Sequence, residues 1–166
     1  MEGATAVTKQ PMALPWHQPW VALALFSFLL NYVWETLAVS FYDMHATAPV
    51  ALGVAVSCLQ ATLGDVGITL TSFVGAAMIA TRRWLFRPSL ATLATYLGLG
   101  VAITIVFEYV SVYVLHRWAY AAAMPIVLGI GVLPITQWLV LPPIILWLAR
   151  RHLAGVPPAF PESEIK

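Results

Sequence analysis

Charged residues are scarce in this sequence, at 9% of 166 residues, against roughly 25% in soluble domains. Hydrophobic residues reach 61%, which is the composition of a polytopic membrane protein. The net charge is only +1 and no run of Lys and Arg is longer than a pair, so the clustered cations of a nucleic-acid-binding surface are missing. We therefore expect the lipid bilayer as a partner and no nucleic acid.

The sequence lacks the residues and motifs that several kinds of protein chemistry require. A single cysteine, Cys58, excludes an intrachain disulfide and a C-x-x-C redox pair. No lysine lies in a long apolar run, which excludes a retinal Schiff base, and the patterns G-x-x-x-x-G-K-[ST] and G-x-S-x-G are absent. The histidines form no H-x-x-x-H or H-E-x-x-H pair. We expect neither haem nor a nucleotide cofactor.

Four long apolar runs are present instead, and each can cross a hydrocarbon layer about 30 Å thick. They predict an all-α fold, a polytopic four-helix transmembrane bundle over residues 20–149, with helices at about 20–42, 50–81, 89–115 and 124–149. Prolines should kink the fourth helix, at Pro134, Pro142 and Pro143. Residues 1–19 are interpreted as a tail, because the first apolar run is longer than the roughly 7–15 residues of a signal-peptide core. Residues 150–166 form the second tail.

The distribution of Lys and Arg predicts the orientation. With four helices and the N terminus inside, every Lys and Arg except Arg117 falls on the cytoplasmic side, which agrees with the positive-inside rule. Those residues are Lys9, Arg82, Arg83, Arg87, Arg150, Arg151 and Lys166. Both termini are therefore expected in the cytoplasm.

Three acids interrupt the apolar runs: Glu35, Asp65 and Glu108. A charged side chain at the bilayer centre costs about 2.5–3.5 kcal/mol on insertion scales, so such residues usually face a bundle interior or a cavity. At 1.5 Å per residue, Glu35 and Asp65 lie about 22 Å, Glu108 about 26 Å and Gln137 about 18 Å from the cytoplasmic ends of their helices. This common level predicts one acidic site in the outer half of the membrane.

Polar and aromatic neighbours extend the candidate site. Asn31 stands four residues before Glu35 and so shares its helix face. Trp34 and Tyr109 adjoin two of the acids in sequence, and Arg117 follows Glu108 along the same run. The candidate binding residues are Glu35, Asp65, Glu108, Asn31, Gln137, Trp34, Tyr109 and Arg117. No residue is assigned a catalytic role.

Three carboxyl groups in a low dielectric need compensation. Either some are protonated, or a metal ion, a cationic solute or Arg117 neutralises them. Glu35, Asp65 and Glu108 are accordingly candidate ligands for a hard, oxygen-bound metal ion. For Arg117, the role of an ordinary anchor at the membrane interface is the stronger interpretation.

Three functions remain open on this basis. The first is binding or translocation of a cation or small cationic solute, for which a homodimer is compatible with the small size of the bundle. The second is an enzyme that isomerises or cyclises an isoprenoid-like lipid, in which a protonated acid acts beside aromatic faces. The third is a non-catalytic accessory subunit of a larger membrane complex, in which the polar stripes pair with another protein's helices.

Two resemblances accompany these hypotheses. In plan, a four-helix bundle with buried acids and tryptophans is similar to membrane sterol isomerases of the emopamil-binding type, with no catalytic residue carried across. The order of motifs along the chain resembles a type of small bacterial four-helix inner-membrane protein that has no assigned activity. The motifs are Asn31-x-x-Trp34-Glu35, Gly64-Asp65, Glu108, Arg117-Trp118-x-Tyr120, Met124-Pro125 and Gln137-Trp138. This second resemblance implies a multi-pass protein of the bacterial inner membrane and nothing about mechanism.

Overall fold

The fold is a bundle of four long helices. The computed structural model describes residues 18–43, 50–80 and 84–155, so that Lys9, His45, Arg82, Arg83, Lys166 and most of the predicted tails lie outside the described residues. The helices are α1 (Pro19–Ala38), α2 (Val50–Ile79), α3 (Leu90–Tyr109) and α4 (Val132–Ala154). All four are long and apolar enough to cross a membrane, which confirms the predicted polytopic, all-α bundle.

The helices pack in a ring. The helix α1 contacts α2 and α4, and α3 contacts the same two helices from the other side. Large apolar side chains cover the outside of the ring, as lipid-facing surfaces require, with Leu37, Met78 and Leu90 among the most exposed. The ring thus encloses one interior that is shared by all four helices.

Local signals explain several helix ends. Pro19 stands in the first turn of α1, where its missing N–H costs nothing. Ser89 caps α3, since its hydroxyl accepts a hydrogen bond of 3.1 Å from the backbone N–H of Thr92. At its other end α3 widens into a π-helical segment, Val110–Val114, in which the N–H of Leu115 donates to the carbonyl of Val110. This segment directly follows Glu108, and π-turns are frequent at functional sites.

Four short strands close the end of the bundle that carries this π-helical segment. They are β1 (Tyr42–Asp43), β2 (Ala119–Tyr120), β3 (Ile126–Val127) and β4 (Ile130–Gly131). The antiparallel pair β1–β2 places Tyr42 opposite Tyr120 and ties the end of α1 to the connection between α3 and α4. The pair β3–β4 is a hairpin that precedes α4.

The predicted start of the fourth helix is wrong. The helix begins at Val132 and not at Met124, because the chain first makes the β3–β4 hairpin, and it continues to Ala154, beyond the predicted end. The hairpin turns at Leu128 and Gly129, whose φ angles are 51° and 84°, and this left-handed geometry suits a two-residue hairpin turn. Pro134 therefore lies in the first turn of α4, and only Pro142 and Pro143 lie inside the helix.

The interior divides into an apolar and a polar end. The apolar core cluster surrounds the start of α1 and the end of α4, with Leu23, Tyr96 and Ile145 among its fully buried members. Buried polar side chains gather towards the opposite end, among them Asn31, Glu108 and Gln137. Trp138 packs against Gly100 so closely that a Cβ atom there would clash with its ring, which lets α3 and α4 approach each other.

Candidate functional site

The three membrane acids share one cavity. Glu35 from α1, Asp65 from α2 and Glu108 from α3 all line a cavity of about 230 Å³, and α4 completes the wall with Gln137. Ordinary helix periodicity places the α2 wall, since Ala61, Asp65 and Ile68 succeed one another on a single face. The cavity is therefore built from all four helices.

A hydrogen-bond network holds the deep side of this cavity. The amide Nε2 of Gln137 donates to Asp65 Oδ2 at 2.9 Å and to Asn31 Oδ1 at 2.8 Å. Asn31 in turn donates to the hydroxyl of Ser27 at 2.9 Å, and Ser27 shares a hydrogen bond of 2.9 Å with Thr69. Asp65 is thus oriented by side chains of α1, α2 and α4, which are themselves buried and satisfied.

Glu108 is held from the strand side of the bundle. The hydroxyl of Tyr120 on β2 donates a hydrogen bond of 2.8 Å to Glu108 Oε2. Burial raises the pKa of Tyr120 above its ordinary value, so this hydroxyl keeps its proton and remains a donor at neutral pH. Burial and the nearby Glu108 carboxylate also raise the pKa of Tyr42, which lines the cavity beside Tyr120. The strand pair β1–β2 therefore contributes two protonated phenols to the site.

Among the described residues, Arg117 is the cationic side chain on the wall of the cavity. It is exposed, and its guanidinium carbon lies over the ring of Trp118, 5.6 Å from the ring centre. The backbone N–H of Arg117 donates to the carbonyl of Ser111 at 2.9 Å, so the π-helical segment fixes where this residue leaves α3. Arg117 and Trp118 together line the cavity at the end of the bundle closed by β1 and β2.

One buried hydroxyl on the cavity wall has no hydrogen-bond partner. Thr104 lines the cavity, is 6% exposed, and its Oγ1 makes no hydrogen bond. The indole Nε1 of Trp118 is buried in the same wall, near the Glu108 carboxylate but without a hydrogen bond of normal geometry. Buried polar groups are normally paired, and neither of these two atoms has a hydrogen-bond partner within residues 18–43, 50–80 and 84–155.

The predicted site residues fall into three groups. Glu35, Asp65, Glu108, Gln137 and Arg117 line the cavity. Asn31 is absent from the wall but is bonded to Gln137, so it positions the site from behind.

Trp34 and Tyr109 do not line the cavity, although they adjoin the acids in sequence. Trp34 packs against the apolar core cluster, and Tyr109 is 56% exposed and lies beside Tyr113, with ring centres 5.4 Å apart. Consecutive residues of an α-helix point about 100° apart, so the sequence neighbour of an inward-facing acid is turned away from it. For these two side chains the prediction of a place in the site is not supported.

The carboxylates do not assemble into a metal site. Within residues 18–43, 50–80 and 84–155, no three His, Cys, Asp or Glu side chains are grouped closely enough to hold a metal ion. Glu35, Asp65 and Glu108 line different walls of the cavity, each on its own helix. The candidate metal role of these three acids therefore has no geometric support.

Sequence reasoning missed several residues of the wall. Tyr42 and Trp118 line the cavity, although neither adjoins one of the three membrane acids in sequence. Thr104 lines it as well. Its position four residues before Glu108 was the available signal, because i and i+4 share a helix face.

Comparisons of the chain with protein-family models, with curated proteins and with solved structures find no match.

Proposed function

We propose that this membrane protein binds a small organic cation in the cavity between its four helices, as the binding step of recognition or translocation. The observation that carries the proposal is that Glu35, Asp65 and Glu108 all line one cavity, which has a volume of about 230 Å³. The hydroxyl of Thr104, which has no hydrogen-bond partner among the described residues, lies on the same wall. Carboxylates in a low dielectric attract a cation strongly, and the cavity offers space for one.

The size of the cavity limits the ligand. At about 230 Å³ it is smaller than the roughly 300–1,000 Å³ of sites for drug-sized ligands. A polar group of a few heavy atoms fits this space, while a complete long-chain lipid exceeds it. The ligand is therefore a small solute, or the small headgroup of a larger molecule.

The wall favours an organic cation over a metal ion. A metal ion is bound by several oxygen ligands at about 2–2.6 Å, and the side chains of the three acids are not close enough together to provide them. An ammonium or guanidinium group accepts more widely spaced partners, and the rings of Tyr42, Phe107 and Trp118 add aromatic faces to the wall. The acids and the aromatic rings thus provide two kinds of cation recognition in one cavity.

Binding to purified variants tests the proposal. Spermidine, choline, guanidinium and alkylammonium chlorides are titrated into the protein in lipid nanodiscs, with isothermal calorimetry as the readout. At least one of them should bind to the wild type, and Glu108→Gln should weaken that binding at least about tenfold, because the variant keeps the shape but cannot become a carboxylate when a cation binds. Asp43→Asn is the matched control, since Asp43 is an exposed acid on β1 that does not line the cavity. Unchanged binding by Glu108→Gln would overturn the proposal.

The proposal includes the side of the membrane from which the ligand reaches the cavity. Arg87, Arg150 and Arg151 lie where α3 begins and α4 ends, while Arg117 lies at the other end of α3. The positive-inside rule then turns the three-arginine end to the cytoplasm and the cavity to the outer half of a bacterial inner membrane. The ligand would enter from outside the cell.

A second candidate is supported by one residue of the wall. Phe107 lines the cavity and is 50% exposed on α3, so part of the wall reaches the lipid-facing surface. An isoprenoid-like lipid could place its reacting end beside Glu35 or Glu108 while its chain stays in the bilayer. This candidate predicts that a lipid co-purifies with the protein and that the wild type converts it while Glu35→Gln does not. That result would support acid-catalysed isomerisation or cyclisation. Mass spectrometry of the extracted lipids decides between the two candidates.

A further inference from the structure

The cavity is not uniformly acidic, and this asymmetry concerns the class of ligand. Its helical walls carry Glu35, Asp65 and Glu108, and the connection after α3 adds one cation, Arg117. The guanidinium carbon of Arg117 lies 5.6 Å from the centre of the Trp118 ring, so the wall of the cavity holds acidic side chains and a basic one. A site that presents both signs is complementary to a ligand that carries both.

Two further features mark the Arg117 side as a place for an anionic group. Trp118 Nε1, next to Arg117 in sequence, is a buried donor that lies near the Glu108 carboxyl group and makes no hydrogen bond of normal geometry within the described residues. A carboxylate accepts hydrogen bonds from an indole N–H and from a guanidinium, and these charge-assisted bonds are strong. The backbone bond from Arg117 to Ser111 fixes where this side chain leaves the main chain, and its guanidinium lies over the Trp118 ring.

We infer that the ligand of this cavity is a small zwitterion, whose ammonium end faces Glu35, Asp65 and Glu108 and whose carboxylate end faces Arg117 and Trp118. The inference rests on the proposed function and names the ligand class for the same site. A short amino acid or betaine meets the size limit of about 230 Å³, and its carboxylate can accept hydrogen bonds from Arg117 and from the Trp118 indole. The Thr104 hydroxyl, which is also unpartnered, lies on the same wall and can bond to either end.

A set of chain lengths makes the inference testable. The probes are the unbranched ω-amino acids from glycine to aminohexanoate, glycine betaine, the methyl ester of each, and the alkylamine of equal length. At the best chain length the zwitterion should bind at least about tenfold more tightly than its ester, because the ester has lost the carboxylate charge. Arg117→Gln should remove this preference, because it weakens binding of the zwitterion more than binding of the ester. Arg150→Gln, at the other end of the bundle, is the control and should preserve the preference.

The outcomes separate this inference from the proposed function. If the esters or amines bind as tightly as the zwitterions at every chain length, the cavity is a site for a simple cation, and the inference fails while the proposed function stands. If none of the probes binds and the cations of the first titration also fail, the proposed function fails with it. A zwitterion preference that persists in Arg117→Gln would likewise overturn the role given to Arg117.

Discussion

Gln137 on α4 donates a hydrogen bond of 2.9 Å to the carboxylate of Asp65 on α2, and the same amide nitrogen donates to Asn31 on α1. One side chain therefore links three helices at the floor of the cavity. Gln137 is 4% exposed, so its partners have little access to water if it is removed. The bond thus connects the stability of the bundle with the geometry of the site.

Substitution Gln137→Leu should destabilise the bundle and weaken ligand binding together. Asp65 and Asn31 each lose a buried donor, and a buried group left unpaired costs about 1–3 kcal/mol. The free energy of unfolding in detergent, measured by chemical denaturation, should fall by that order. Thr36→Val is the control, since the Thr36 hydroxyl bonds only to a carbonyl of its own helix, that of Tyr32, at 2.8 Å. Equal stability of Gln137→Leu and wild type would contradict the prediction.

Substitution Gly100→Ala should separate α3 from α4. A Cβ at Gly100 would meet the ring of Trp138, and overpacking of this kind typically costs about 1–3 kcal/mol. The melting temperature of the purified protein should fall accordingly. Gly98→Ala on the same helix is the matched control, because a Cβ there meets no atom within 4 Å. It should leave stability unchanged or raise it slightly, as Ala favours helix more than Gly does.

Substitution Tyr120→Phe should weaken ligand binding without unfolding the protein. The ring stays beside Tyr42 and Gly131, while Glu108 loses the hydrogen bond of 2.8 Å that orients it. We expect affinity to fall by about threefold to tenfold, in line with a net hydrogen-bond contribution near 1 kcal/mol. Calorimetric titration measures the change. Tyr113→Phe, whose hydroxyl bonds instead to the carbonyl of Gly129, should bind as the wild type does.

Substitution Gly64→Leu should fill the cavity. Gly64 lines it, and a Cβ at this position meets no atom within 4 Å, so the larger side chain enters open space. Binding should be lost while the melting temperature holds, because Leu also favours helix more than Gly does. Gly67→Leu, equally unobstructed but exposed on the same helix, should keep full affinity. Ligand binding retained by Gly64→Leu would place the ligand elsewhere.

The proposed orientation has its own measurement. Alkaline phosphatase fused after residue 155 should be inactive, and a green fluorescent protein at the same position should fluoresce, because the arginine-rich end of the bundle faces the cytoplasm. A phosphatase inserted after His116, between α3 and β2, should be active. Reversed signals at the two positions would invert the bundle and turn the cavity to the cytoplasm.

Much of this architecture could be predicted from the amino-acid order. Apolar runs of membrane length predicted the four helices, since a hydrocarbon layer admits few other structures. The apolar run from Met124 predicted a helix start that is wrong, because hydropathy does not distinguish a helix from the hairpin in which Ile126 pairs with Gly131. That hairpin turns at Leu128 in the left-handed conformation, which leucine rarely adopts, so this residue gives no signal for the turn.

The residues of the candidate site were harder to predict from the sequence than the helices were. Counting at 1.5 Å per residue gave Glu35, Asp65 and Glu108 a common level, because rise along a helix is a local property. Which neighbours reach the cavity depends on how each helix is rotated against the others, and that is set by contacts distant in sequence, such as Trp138 on Gly100.

The sequence by itself determined a four-helix membrane protein with three acids in its apolar runs, because length, hydropathy and helical rise need no tertiary contact. Only the tertiary structure decided that Tyr42, Thr104 and Trp118 join those acids while Trp34 and Tyr109 turn away. The physical reason is that the packing of the helices determines which side chains line a cavity. Packing depends on contacts between segments that are distant in the sequence and meet only when the chain folds.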